Sequence, residues 1–161
     1  MRRLLFVAGL LSIALVIVSH ALAATTVAVS MNLAEPLNAG TPGSTACPDI
    51  GLAFNCGSGE VRPFGQATEE VNIGVCGDAC NYREIELPHG TILLQETVTA
   101  VTCQGVCGSQ AFGPPLTIGL SDVVVGGTGV FAGASGVLTG SVGVAGWGGV
   151  VDLTGTFTLN S

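Results

Sequence analysis

Four charged side chains fall on predicted strand faces that are otherwise apolar: Glu69, Arg83, Glu96 and Asp122. A charge on an inward face is costly unless it is paired. An unpaired carboxyl group in an apolar lumen can bind a polar ligand group, or act as a general acid or base with a raised pKa. These four residues are therefore the polar candidates for a site inside the fold, and the alternative is a structural role or a place at its rim.

The turns on either side of the strand that carries Arg83 predict which residues face each other. A two-residue turn at His89-Gly90 places Arg83 opposite Glu96, which predicts a structural ion pair. In the preceding hairpin Cys76 faces Cys80, and the same register places Ile73 opposite Arg83 and Glu69 opposite Leu87. Both registers gather the apolar side chains on one face, which predicts a three-stranded meander. Glu69 and Asp122 have no predicted partner.

The six cysteines form an even set, which in a secreted chain predicts three disulfides. They are Cys47, Cys56, Cys76, Cys80, Cys103 and Cys107. We expect a Cys47–Cys56 bridge within a long loop over residues 34–59, and local bridges in CGDAC (76–80) and CQGVC (103–107). Cross-pairing of the last four cysteines is the alternative, because both loops lie at the same end of a meander. A zinc site built from those four is less favoured, and no metal is predicted.

The N-terminal 23 residues have the pattern of a secretory signal peptide. Arg2 and Arg3 precede an uncharged apolar run, and Ala21 and Ala23 are the small residues expected before a cleavage site. The apolar run is shorter than a membrane-spanning helix requires. We therefore expect residues 24–161 to be a single mature domain that is secreted, extracellular or held in the cell envelope, with no transmembrane span.

The charge of the mature chain limits its partners. Two arginines and 11 acidic residues give a formal charge of −9, and there is no lysine. This balance argues against nucleic acid and anionic membranes as partners. His89 is the only mature histidine, so neither a catalytic triad nor a histidine-rich metal site is expected. Neither GxGxxG nor GxxxxGK occurs, so no nucleotide cofactor is predicted.

The mature chain is rich in Val, Thr and Gly, with short alternating runs broken by Gly, Pro and Asn. This pattern predicts an all-β domain. Seven or eight strands joined mostly by short turns suggest a small antiparallel β-barrel of about eight strands. A β-sandwich is the alternative, because sheet closure leaves no mark on local patterning.

One glycine-rich segment, GGTGVFAGASG (126–136), surrounds a single phenylalanine. We expect Gly126, Gly127 and Gly129 to let the chain leave a strand through positive φ or close backbone approach. Gly133 and Gly136 lead into the next strand. Phe131 then packs under the turn as a plug at one end of the barrel.

This segment also carries a resemblance. GGTGVFAGASGVLTGSV, followed by a hairpin ending in VDLTGTFTL, resembles the GGTGxFxxAxG segment of the dirigent and allene oxide cyclase-like β-barrel superfamily, and above all its secreted bacterial members. The match covers about residues 120 to 159; Val130 and Ser135 depart from the usual motif. The resemblance implies an eight-stranded barrel with an apolar lumen that can form homo-oligomers. No catalytic residue carries over.

Three functions follow as hypotheses from these observations. The first is a non-catalytic secreted barrel that binds a small apolar ligand. The second is a dirigent-like or cyclase-like enzyme that uses Glu69, Glu96 or Asp122 in the lumen, with Arg83 orienting an anionic group. The third is a structural protein of the cell envelope. Room for a ligand in the lumen distinguishes the first two from the third.

Overall fold

The computed structural model describes residues 24–36, 54–105, 115–145 and 148–160. Eight strands account for most of them: β1 (Thr25–Pro36), β2 (Phe54–Arg62), β3 (Gly65–Gly77), β4 (Cys80–Leu87), β5 (Gly90–Cys103), β6 (Leu116–Gly127), β7 (Ser135–Ala145) and β8 (Gly148–Leu159). A single 3-10 turn, Gly129–Phe131, lies between β6 and β7. The predicted all-β class is confirmed.

The strands form a closed antiparallel barrel in which each pairs with its neighbours in chain order. Closure comes from β1 and β8, which pair in a continuous ladder from Thr25↔Leu159 to Pro36↔Gly148. The predicted barrel is therefore confirmed and the sandwich is excluded. Alternate residues point into a lumen of the size that side chains fill in an eight-stranded barrel.

The predicted loop over residues 34–59 is wrong at both ends. β1 continues to Pro36, and β2 begins at Phe54. Apolar alternation along β1 runs through Val29, Met31 and Leu33 and then continues at Glu35, which is buried as well. A charged residue followed by proline resembles a loop in sequence, but pairing with β8 keeps this segment in the sheet.

Both predicted hairpin registers are wrong by two residues. Pro88 and His89 form the β4–β5 turn and Gly90 begins β5, so Arg83 faces Leu94 and not Glu96. In the β3–β4 hairpin Glu69 faces Ile85 and Val71 faces Arg83. A shift of two residues keeps every side chain on its predicted face, since the side-chain period of a strand is two.

Two apolar residues do leave the predicted inward face. Ile73 and Val75 are about half exposed, at 50% and 49%. The β3–β4 register shifts between Asn72 and Gly77, and Gly74 adopts φ +73° within that irregularity. The extra residues rotate the end of β3, as a β-bulge does, and turn these side chains to solvent.

The Cys76–Cys80 bridge is present at this hairpin tip, with the two Cα atoms 5.1 Å apart. It confirms the local bridge and excludes cross-pairing of these two residues with Cys103 or Cys107. Cys56 and Cys103 are also disulfide-bonded. Their predicted partners, Cys47 and Cys107, lie outside the described residues, as does the predicted signal peptide.

The opposite end of the barrel is closed by aromatic packing. Phe131 is 1% exposed. Its ring meets Phe64 edge to face, with centroids 5.0 Å apart, and Phe64 stacks on Phe157 at 6.1 Å. The chain reaches this position because Gly129 has φ +59°, where a Cβ would lie 2.1 Å from the carbonyl oxygen of His89.

The other glycines of the segment differ in what they require. A Cβ on Gly127 would lie 2.5 Å from the carbonyl oxygen of Phe131, and one on Gly136 would lie 2.2 Å from that of Thr156. Gly133 has φ +70°, whereas a Cβ on Gly126 would make only ordinary contact with Leu93. Close approach or positive φ therefore applies to four of the five glycines.

Within the described ranges no helix is long and apolar enough to cross a membrane.

Candidate functional site

The structure brings all four sequence-derived candidates together in the lumen. Glu69, Arg83, Glu96 and Asp122 point inward from β3, β4, β5 and β6, and none is more than 3% exposed. Two further buried residues join them: Glu35 from β1 and Asn81 from β4. We refer to these six residues as the Arg83 cluster.

Arg83 is the centre of the cluster. Its Nε and Nη2 donate to Glu96 Oε2 at 2.9 and 2.7 Å. Its Nη1 donates to Glu35 Oε1 at 2.9 Å and also to Glu69 Oε2. Three carboxyl groups from three other strands therefore converge on one guanidinium. Burial alone would lower the pKa of Arg83, but the charges of Glu69, Glu96 and Glu35 raise it, so Arg83 stays a cation.

Glu96 is the best-satisfied carboxylate of the cluster. Besides Arg83 it accepts a hydrogen bond from Asn81 Nδ2 at 2.7 Å, through Oε1. The Asn81 side chain in turn accepts from the backbone N–H of Gly74 at 3.0 Å. This chain of bonds connects the ion pair to the irregular part of β3, so the cluster also supports the hairpin tip.

Two other carboxyl groups are poorly satisfied. Glu69 Oε1 and both carboxyl oxygens of Asp122 are buried, and none of the three has a hydrogen-bond partner among the described residues. Burial raises the pKa of Glu69 to about 7, with Arg83 opposing and Glu35 adding to the shift. Burial and then the charge of Glu96 raise the pKa of Asp122 to about 7. Both groups titrate in the range that general acid–base chemistry uses.

A glycine makes room for one of these carboxyl groups. A Cβ on Gly57 would lie 2.5 Å from Glu69 Oε1 and 3.1 Å from Glu35 Cγ. Any other residue in this position on β2 would displace both glutamates. The sequence contains a signal for Glu35, because it continues the alternation of β1, and for Asn81, which has the same parity as Arg83. Nothing in the sequence marks Gly57 as their neighbour.

The side chains of the cluster are at most 8% exposed, although Glu69 also lines a groove on the outer surface. The largest side chains with under 2% exposure include Arg83, Phe131, Phe157, Met31 and Leu33, and they fill the described lumen. No group of three or more His, Cys, Asp or Glu in the described ranges is arranged to hold a metal ion. Because Arg83, Glu96 and Asp122 are buried, a reaction that uses them requires the barrel to open to a substrate.

Two grooves on the outer surface are lined by described residues. The larger, of about 900 Å³, runs across the outer faces of β1 to β5, and its described charged lining residues that point outward are Glu70, Glu84 and Glu86. We call it the acidic groove. The smaller, of about 550 Å³, lies over β1, β2, β3, β7 and β8. We call it the mixed groove because it carries both charges and several neutral polar groups.

The mixed groove is an ordered array of hydrogen-bonding groups. Ser30 on β1 and Thr139 on β7 each stand directly opposite Thr154 on β8, so three hydroxyl groups lie side by side. Two residues further along the same face, Asn32 Nδ2 donates to Asp152 Oδ1 at 2.6 Å. The groove thus presents adjacent donors and acceptors that remain accessible to solvent.

Two glycines hold the strands beneath this groove close together. A Cβ on Gly59 would lie 2.1 Å from the carbonyl oxygen of Asn32, and one on Gly140 would lie 1.9 Å from that of Asp152. At the edge of the groove Arg62 pairs with Glu60 at 2.9 Å. The backbone positions of Asn32 and Asp152 are therefore set by their neighbours on β2 and β7.

No protein-family model, no curated protein and no solved structure matches this chain. The case for a function rests on the geometry of the lumen and of the two grooves.

Proposed function

We propose that this protein is a secreted, non-catalytic binding barrel that holds a neutral polyhydroxylated ligand, such as an oligosaccharide, in the mixed groove. The observation that carries the proposal is the row of Ser30, Thr154 and Thr139 beside the Asn32–Asp152 pair. Sugars present alternating donors and acceptors, which hydroxyl, amide and carboxylate groups match. The disulfides are compatible with secretion.

The packing of the lumen supports an outer site. A small apolar ligand, the hypothesis drawn from the sequence, would need space that buried side chains such as Phe131 and Phe157 occupy. The acidic groove also has hydroxyl groups, from Ser58, Thr68 and Thr91, but its described outward-facing charges are all carboxylates and its described lining includes no side-chain amide. The resemblance to the dirigent and allene oxide cyclase-like superfamily, and the homo-oligomer it implies, stay predictions.

The test is a titration of the folded protein with neutral oligosaccharides, using cello-, chito-, xylo- and malto-oligomers as probes and amide NMR shifts as the readout. We expect saturable shifts at Ser30, Asn32, Thr139, Asp152 and Thr154. The variant Asp152→Ala should weaken binding at least tenfold, because it leaves Asn32 and the ligand without their acceptor. Thr68→Ala, in the acidic groove, is the matched control and should bind as the wild type does.

Two results would overturn the proposal. One is the absence of saturable binding to all four probes, and the other is binding that Asp152→Ala leaves unchanged. Native mass spectrometry of the protein from its own host adds a third readout. A retained apolar molecule there would return the ligand site to the lumen.

A second candidate function, proton transfer to a hydrophobic molecule admitted to the lumen, is favoured by one observation. Asp122 has a pKa of about 7 and two unpartnered carboxyl oxygens, as a general acid or base would. If a retained molecule were found, its conversion by the wild type but not by a folded Asp122→Asn variant would support this function. Equal conversion by both would exclude it.

A further inference from the structure

The Arg83 cluster contains more carboxyl groups than cations. Among the described residues, the buried charged side chains are Glu35 on β1, Glu69 on β3, Arg83 on β4, Glu96 on β5 and Asp122 on β6. Strands β2, β7 and β8 contribute no charged group to the lumen. Four carboxyl groups therefore share one guanidinium in an enclosed space, and full ionisation would leave an excess of three negative charges there.

Glu35 and Glu69 compete for the same nitrogen. Arg83 Nη1 donates to both of them, and they reach it from β1 and β3, the two strands that flank Gly57 on β2. Glu69 Oε1 has no hydrogen-bond partner in the described structure. Two carboxylates that meet at one donor repel each other, and a proton on one of them removes that repulsion.

Asp122 makes no hydrogen bond to the guanidinium, because neither of its carboxyl oxygens has a partner among the described residues, although the charge of Arg83 still lowers its pKa. It stands directly opposite Glu96 on one side and Leu138 on the other, and it is 0% exposed. Glu96 accepts hydrogen bonds from Arg83 Nε and Nη2 and from the side-chain amide of Asn81. An ionised Asp122 would be a desolvated charge beside a second carboxylate, so the protonated acid is the form that this position accepts.

We infer that the folded barrel binds two protons in mildly acidic solution, one on Asp122 and one on the Glu35–Glu69 pair, and releases them as the pH rises through neutrality, so that the fold is more stable in mild acid than in alkaline solution. Glu96 and one member of the Glu35–Glu69 pair remain ionised opposite Arg83. Loss of both protons would place four negative charges around one cation and favour opening of the barrel. The inference is independent of the ligand in the mixed groove.

The direction of the pH effect follows from the pKa values. The pKa of Glu69 rises from 4.5 to about 7, and that of Asp122 from 3.8 to about 7. Between these limits the folded state binds more protons than the unfolded state, so the free energy of unfolding falls as the pH rises. The stabilisation is complete below the unfolded pKa values and is lost as the pH passes through about 7.

The experiment is equilibrium urea unfolding of the disulfide-intact protein at a series of pH values from 4.5 to about 8.5, followed by circular dichroism. Each proton changes the unfolding equilibrium constant by about tenfold per pH unit, so two give up to about a hundredfold per unit. The Asp122→Asn side chain keeps the shape of aspartate but cannot ionise. This variant should therefore lower the pH dependence of the unfolding constant by the contribution of one proton. Its unfolding constant at pH 8 should fall below that of the wild type by about tenfold or more.

Glu86→Gln is the matched control, because it removes an exposed carboxylate and lowers the overall negative charge equally. It should keep the wild-type slope. An unfolding constant that is flat or falls between pH 5 and 7 would overturn the inference, and so would an Asp122→Asn variant with the wild-type slope.

Infrared spectroscopy of the wild type supplies a readout that needs no variant. At pH 7 the folded protein should show the carbonyl band of protonated carboxylic acids, and the band should disappear reversibly at higher pH. If Asp122→Asn fails to fold, this band alone decides the question. Its absence at pH 7 would contradict the proton-loaded cluster.

Discussion

Arg83 and Glu96 meet across a diagonal of the β4–β5 hairpin. Arg83 stands opposite Leu94 and Glu96 opposite Asn81, yet the guanidinium reaches the Glu96 carboxylate at 2.7 and 2.9 Å. Diagonal neighbours on one face of an antiparallel pair are about 7–8 Å apart at their backbones, within reach of long side chains. The ion pair therefore tolerates a change of register that would separate two short side chains.

Removal of the one buried cation should be the most damaging change to the cluster. Arg83→Met leaves four carboxyl groups without a counter-charge, and we expect a loss of about 3–5 kcal/mol in the free energy of unfolding at pH 7. The loss should shrink at pH 5, where more of these groups are protonated. Urea unfolding at both pH values measures it. Arg62→Met, in an exposed pair, should behave as the wild type; equal effects at both arginines would contradict the buried role of Arg83.

Replacement of Glu96 tests the ion pair in which Arg83 donates two hydrogen bonds to one carboxylate. Glu96→Gln removes the charge that Arg83 Nε and Nη2 contact and weakens the acceptor for Asn81, so we expect destabilisation of about 1.5–3 kcal/mol. Thermal and urea unfolding measure this change. Glu84→Gln lies on the outer face of β4 and should stay within about 0.5 kcal/mol of the wild type. Unchanged melting of Glu96→Gln would exclude a stabilising pair.

The aromatic plug should carry much of the stability of its end of the barrel. Phe131→Ala opens a cavity beside Phe64, and we expect a cost of about 3–5 kcal/mol. Its neighbour Val130 is 52% exposed, so Val130→Ala should change the free energy of unfolding by less than about 0.5 kcal/mol. Chemical denaturation of both variants makes the comparison. A cost below 1 kcal/mol for Phe131→Ala would show that the plug is not packed as described.

The Cys76–Cys80 bridge should act locally. It closes a very short loop, so the chain-entropy model gives about 2 kcal/mol for its loss in the double variant Cys76→Ser/Cys80→Ser. Amide hydrogen exchange should show faster exchange over residues 72–80 and unchanged protection in β4 and β5 beyond the tip. Faster exchange throughout the barrel would show instead that the bridge supports the whole fold.

The sequence predicts whether a residue points inward or outward better than it predicts which residue stands opposite it on the neighbouring strand. Alternation placed Glu69, Arg83, Glu96 and Asp122 inward, and all four are buried. The β4–β5 register failed because Gly90 was assigned to the turn, whereas it begins β5 with φ +143°. The β3–β4 register failed because Gly77, and not Cys76, pairs with Cys80 and the ladder shifts between Asn72 and Gly77. A register shift of two residues leaves the pattern of buried and exposed positions unchanged, so no apolar pattern can reveal it.

Two members of the cluster were missed for different reasons. Glu35 continues the alternation of β1, but the following Pro36 resembles the start of a loop, and only pairing with Gly148 and Gly149 keeps this segment in the barrel. Asn81 was overlooked although its parity matches that of Arg83. The mixed groove was not predicted, because Ser30, Thr139 and Thr154 are far apart in the chain and meet only through β1–β8 and β7–β8 pairing.

The sequence by itself determined the all-β class and the inward faces of the central strands, and it favoured the local Cys76–Cys80 bridge. These properties depend on a two-residue repeat and on short separations along the chain, which local patterning records. Only the tertiary structure decided that the sheet closes, that Glu35 and Glu69 converge on Arg83, and that the Asp122 carboxyl group has no hydrogen-bond partner among the described residues. Those outcomes depend on the stagger and tilt of eight strands around a common axis, and no single strand encodes them.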